Sequence, residues 1–145
     1  MIDGPTPAFF HPEQIAFKPR YEWAFGERID HPETTARAES ILEALREADH
    51  FTVAEPEQAP PGTITAQHNG TLLSLYRTAS TLPPGETYYP TVFPRRDQVR
   101  ADWNRIPHAG AFCFDAGTPL SAETWNAARW SASCAWTAAR TLKTE

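Results

Sequence analysis

"GAFCFDAGTPLSAETW", Gly110 to Trp125, runs directly into "NAARWSASCAWTAARTLKTE", Asn126 to Glu145. The first stretch reads as a strand or loop entering a helix, with Ser121 as a good cap. Trp125, Ala128, Ala132, Ala135, Ala139 and Leu142 then recur at alternating spacings of three and four, which places them on one helical face. Trp136 lies near that stripe and Trp130 points away from it. Alanine permits close approach and tryptophan fills space, so such a helix expects neighbours on several sides. No glycine or asparagine cap follows Leu142, and the helix is expected to continue to the last residues.

Upstream, "AFFHPE" suits a short opening strand ending near His11. "QIAFKPRYEWAFGERIDHPE" then reads as a long loop anchored by Phe17, Tyr21, Trp23 and Phe25, and loops of that length in a compact domain usually serve function. In "DHPETTARAESILEALREA", Asp30 can cap, Pro32 suits a first turn and Glu33 completes a capping box. Ala38, Ile41, Leu42 and Leu45 follow at helical spacing, with Arg37, Glu39, Glu43 and Arg46 outward. A brief strand is expected at Phe51 to Ala54. A short helical turn comes next, broken at Asn69-Gly70, before a second helix carrying Leu72, Leu73, Leu75 and Tyr76. After Pro83, "PPGETYYPTVFPRRDQVRADWNRIP" sustains neither period, yet Tyr88, Tyr89, Phe93 and Trp103 make it too aromatic for a disordered linker.

The chain of 145 residues, 41% hydrophobic, accommodates one domain. Its 14 prolines outnumber its 7 glycines and cluster where connections are expected. A formal charge of -5 opposes binding to a phosphate backbone, so no nucleic-acid partner is expected. No window is long and apolar enough for a membrane span, and no basic start precedes an apolar run. A cytoplasmic location is therefore the default expectation. Cys113 and Cys134 are too few and too far apart for a disulfide framework or a thiolate zinc site.

The sequence carries no catalytic constellation. His11, His31, His50, His68 and His108 show no H-E-x-x-H, H-x-H or D-x-H spacing, and a metal centre built from them would require three to converge. No serine lies in a G-x-S-x-G turn. Cys113, between aromatic residues, reads as a buried inert thiol. Arg95, Arg96, Arg100 and Arg105 alternate with Asp97 and Asp102, which reads as an ion-paired loop or a subunit contact.

Four segments, taken in order, resemble the N-terminal part of the histone deacetylase and acetylpolyamine amidohydrolase family. "DHPETTARAESILEAL" is similar to its H-P-x-x-x-x-R segment opening the first helix. "TITAQHNGTLLSLYRTAS" resembles its V-H-x-x-x-Y-L helix, with His68 at the histidine and no tyrosine at the usual place. "YYPTVFPRRDQVRADWNRIP" resembles the insertion of the polyamine-type bacterial branch. "GAFCFDAGTPLSAETWNAARWSASCAWTAA" is similar to that branch's entry into a core helix.

The resemblance implies an α/β fold: residues 1–145 as a single incomplete domain, the N-terminal portion of an arginase/deacetylase-like parallel-sheet domain with flanking helices. Residues 83–109 would be an insertion loop at a channel rim or dimer contact. Phe93, Arg95, Asp102, Trp103, Ile106 and Pro107 would sit in or near that rim. The implied chemistry is hydrolysis of acetyl amides of polyamines, acyl-lysine or similar aminoalkyl groups by zinc-activated water. The implied partners are an acetylated small-molecule amine and a second subunit. The family's Gly-His-His and Asp-x-His motifs, which carry the general acid/base and Zn2+ ligands, do not occur here. The chain by itself is therefore expected to be inactive, with no catalytic residue or metal ligand of its own. The alternative is a non-enzymatic interaction or dimerisation module using the aromatic and arginine-rich loop 83–109.

Overall fold

The computed structural model describes residues 4–90, 105–112 and 119–143. They fall into two compact units. The first comprises Met1–Lys18, Thr34–Ile64 and Asn126–Glu145, and the second Pro19–Glu33 and Thr65–Trp125.

In the first unit, β1 (Thr6–Phe9) pairs in parallel with β4 (Phe51–Ala54), in the register Thr6 to Phe51 through Phe9 to Ala54. Parallel neighbours need a crossover, and helix α1 (Ala36–Glu47) supplies it, packing on β4. The strands expected near Phe9 and at Phe51 to Ala54 are present, and the expected parallel sheet with flanking helices is the fold found. Arg37, Glu39, Glu43 and Arg46 are exposed, as their spacing requires. The start of α1 differs from expectation. Asp30 is the last residue of a strand, paired with Tyr21, so it cannot cap a helix. Thr35 takes the N-cap position without a side-chain hydrogen bond. His31 closes the intervening turn, its Nδ1 accepting the Glu33 N–H at 3.1 Å.

Helix α5 (Thr124–Lys143) contributes most of its length to this unit. Its buried residues are Ala127, Ser133 and Cys134 rather than the alanine stripe, since Ala135, Ala139 and Leu142 are exposed. Trp130, expected to point away, lies on the packed side and stacks on His11. The physical reason is contact area: an aromatic ring with hydrogen-bonding neighbours offers more than a row of methyl groups. Ser133 Oγ accepts the Ala59 N–H at 3.0 Å, and Thr137 Oγ1 donates to the Glu57 carbonyl at 3.2 Å.

In the second unit, the stretch expected as a loop contains a hairpin, β2 (Tyr21–Ala24) with β3 (Glu27–Asp30). The residues between them, Phe25 and Gly26, both have positive φ, 54° and 82°, as a two-residue type I′ connection requires. The break at Asn69-Gly70 is as read from the sequence: α2 (Pro61–Gln67) ends before it. The Asn69 side chain caps α3 (Gly70–Ala79) by accepting the Thr71 N–H at 2.8 Å. β5 (Thr87–Tyr88) pairs antiparallel with β6 (Leu120–Ser121), and the single turn α4 (Ala109–Phe112) precedes β6. Ser121 is buried in β6, and its Oγ accepts the Glu123 N–H at 3.2 Å just ahead of α5.

The two units differ in how they are filled. Leu75, Ala79, Leu82, Ile106, Ala109 and Leu120 form a buried cluster in the second unit. In the first, Ile64 is the one large aliphatic side chain that is buried among the described residues.

Candidate functional site

The segment singled out by sequence, residues 83–109, is described at both ends. The chain leaves the described region after Pro90 and re-enters it at Arg105. These two ends are tied together. Arg105 forms an ion pair with Glu86, its guanidinium lies 5.1 Å from the Tyr88 ring centroid, and its N–H donates to Tyr88 Oη at 3.1 Å. One arginine therefore fixes the stem of the segment by charge, by cation–π contact and through its backbone.

Tyr89, next in the chain, stacks on Tyr21 of β2 with centroids 4.7 Å apart, and its hydroxyl donates to the Tyr21 carbonyl. Burial, together with the neighbouring Tyr21, pushes the Tyr89 phenol above its ordinary range. Arg28 lies 4.9 Å from the Tyr21 centroid, and Trp23 meets Tyr21 edge-on at 6.4 Å. Tyr21 thus serves as an anchor, whereas Trp23 is largely exposed and Phe25 wholly so, so the expected set of anchors holds only in part. The Tyr21 ring is already engaged by Tyr89 and by a cation of the protein itself.

Of the predicted rim residues, Phe93, Arg95, Asp102 and Trp103 lie outside the described residues, as do Cys113 and Asp115. Ile106 is 3% exposed and packs in the core with Leu75 and Leu120, whereas Pro107 beside it is exposed. The two neighbours therefore face opposite environments.

A second constellation, in the first unit, was not legible in the sequence. His11 lies flat on Trp130, ring centroids 3.6 Å apart and planes within 5°. The His11 Nδ1 accepts the Glu13 N–H at 3.2 Å and caps the 3-10 turn Pro12–Ile15. Gln14 Oε1 receives both the His11 N–H at 2.9 Å and the Cys134 thiol at 3.1 Å, while its Nε2 reaches Ser131 Oγ at 3.4 Å. The pieces are a capping histidine, a bridging amide and a thiol. Burial raises the Cys134 thiol above its ordinary range, and a hydrogen bond from the His11 backbone opposes this in part. Such a thiol stays protonated and is not a nucleophile. The cluster is an anchor for the 3-10 turn on α5. The only hint of it in the sequence is the His-Pro pair at a turn start, which says nothing about Trp130.

Among the described residues, no group of three or more His, Cys, Asp or Glu side chains could hold a metal ion. His11, His31 and His68 form no such centre. The described residues therefore do not fit a zinc site. No described helix is long and apolar enough to cross a membrane.

No protein-family model and no curated protein sequence matches the chain. Among solved structures, it is similar to acetylpolyamine aminohydrolase from Burkholderia pseudomallei, with a TM-score of 0.77 and 28% identity over 96% of this chain. The chain has the fold of an N-terminal portion of that enzyme. It spans 42% of the Burkholderia protein's length. The similarity spans the parallel pairing of β1 with β4 across α1 and the α5 helix, which begins at Thr124.

Proposed function

We propose that this chain forms the N-terminal part of a zinc-dependent amidohydrolase that removes acetyl groups from small aminoalkyl amides, acetylated polyamines first among them. The observation that carries this reading is the structural similarity over 96% of the chain to a protein named for that substrate. Zinc would supply Lewis-acid polarisation of the acyl carbonyl when bound. Its ligands, and the general acid and base, belong to parts of the domain that residues 1–145 do not include. Within the enzyme, residues 83–109 would contribute the rim of the substrate channel and a contact with a second subunit. Phe93, Arg95, Asp102, Trp103 and Pro107 are the positions through which they would act, with Ile106 holding the segment in the core.

The test is complementation. The purified chain is combined with the part of the Burkholderia enzyme that it does not cover, and acetate release from N-acetylputrescine is followed with and without zinc. The reading predicts zinc-dependent release by the assembled pair and none by either part alone. A pair that assembles but stays inert, while the same remainder with its own N-terminal part is active, overturns it.

A further inference from the structure

Strand β4 is open along the side that β1 does not cover, and no other described strand pairs with it. Thr6 donates to the His50 carbonyl at 2.8 Å and Phe10 to the Ala54 carbonyl at 3.0 Å. A parallel ladder alternates, so His50, Thr52 and Ala54 turn their backbone groups to β1 while Phe51, Val53 and Glu55 turn theirs away. The Phe51 N–H is already engaged by the Ala48 carbonyl at 3.0 Å. What remains along the edge is the Phe51 carbonyl, the N–H and carbonyl of Val53, and the Glu55 N–H. Residues 51–55 carry neither proline nor lysine, the residues that most often blunt such an edge.

Beside the edge runs a groove of about 390 Å³ whose lining includes Phe10, Arg46, Phe51, Val53 and Glu55. Phe51, Val53 and Glu55 alternate along the chain and so share one face. Arg46 belongs to the last turn of α1 and lies at the end where β4 begins, whereas Glu55 follows the last residue of β4. Both are exposed, and neither has an ion-pair partner among the described residues. The groove therefore has apolar walls, a cation at one end and an anion at the other.

These features complement themselves under a twofold axis through Val53. In an antiparallel pairing of two β4 strands, Val53 exchanges N–H and carbonyl with Val53 of the partner subunit, and each Glu55 N–H donates to the partner's Phe51 carbonyl. Every outward group of both strands is then engaged. The same axis brings the beginning of one β4 beside the end of the other, so each Arg46 meets the partner's Glu55. An unrelated strand could complete the ladder, but a second copy also supplies both missing charges.

We propose that two copies of this chain pair antiparallel through β4, with Arg46 of each against Glu55 of the other, forming one sheet across a twofold axis. This contact does not depend on the amidohydrolase reading and does not involve residues 83–109.

Sedimentation equilibrium of the 145-residue chain over a concentration series, with amide exchange at the same concentrations, tests this. The expected result is a reversible monomer–dimer equilibrium in which Val53 and Glu55 exchange slows by about tenfold or more as the dimer fills, while Leu75 and Leu120 change little. Arg46→Glu and Glu55→Arg should each weaken the dimer by about tenfold, because the twofold axis repeats every like-charge pair. Together the two substitutions should restore it to within about threefold. Val53→Pro should abolish dimerisation while keeping the ladder to β1, since the Val53 N–H points away from that strand. The paired charge exchange carries the test should that variant not fold. Three results overturn the proposal: a chain that stays monomeric up to about 1 mM, a dimer with Val53 and Glu55 exchange unchanged, or a dimer that responds to neither the single charge reversals nor their combination. A dimer held by residues 83–109 instead would give the second and third of these.

Discussion

His11 and Trp130 lie face to face at 3.6 Å, joining the 3-10 turn after β1 to a helix more than a hundred residues later in the chain. Because both rings are half-buried, the stack adds packing as well as aromatic contact. Trp130→Ala is expected to lower stability by about 2 kcal/mol, and Trp130→Phe to restore much of it. Chemical denaturation of the two variants against the parent checks this; equal midpoints would show the stack to be incidental.

Ser133 is a sharper case, since it is fully buried and is the acceptor for the Ala59 N–H. Removing the hydroxyl strands a buried donor, which costs about 1–3 kcal/mol. Ser133→Ala should therefore destabilise despite its small change in volume, whereas Ser131→Ala, at an exposed position, should not. Thermal unfolding of both variants separates the two.

In the second unit, burial and charge make different demands. Ile106 sits in the core and Arg105, beside it, in a largely exposed ion pair with Glu86. Ile106→Ala is expected to cost about 2–5 kcal/mol by opening a cavity. Glu86→Ala should cost less than about 1 kcal/mol and lose its effect in high salt. Urea titrations at low and high ionic strength give both numbers.

The hairpin tip predicts a gain. Phe25 is fully exposed and holds a φ of 54°, a region that bulky residues rarely adopt. Asparagine tolerates that geometry and favours the turn when followed by glycine. Phe25→Asn should raise stability by about 0.5–1 kcal/mol, read as an upward shift in melting temperature. No shift would mean that the aromatic ring makes up for its backbone strain.

Cys134 gives a pH dependence. Burial raises its thiol in the folded state, so its contribution to stability is fully present below the ordinary thiol value and is lost as pH rises from there through the raised, folded-state value. The Cys134→Ser variant should lack that alkaline loss. Slow alkylation of the native thiol at mildly alkaline pH is the companion observation, and rapid labelling in the folded chain would contradict the burial.

Much of this architecture was legible because it is local. Asn69-Gly70 announces a cap and a break, Phe51 to Ala54 alternates between prolines and a helix end, and α1 shows its polar face. The hairpin was not legible, because Phe25-Gly26 lacks the asparagine or aspartate that usually marks a type I′ turn, and that omission also misplaced the start of α1 at Asp30. The packed face of α5 was missed for a different reason. Its alanine stripe is regular, but Trp130 and Ser133 find partners at His11 and Ala59 that no periodicity within the helix reveals. The rim residues were named by resemblance. Of them, only Ile106 and Pro107 have described positions, one in the core and one at the surface.

The most direct measurement is acetate release from N-acetylputrescine by the purified 145-residue chain, alone and with added zinc. Residues 1–145 as the N-terminal part of an amidohydrolase, with the metal ligands and the acid/base pair elsewhere, predict a rate equal to that of zinc in buffer. Saturable turnover by the chain itself, abolished by a chelator, would contradict the account.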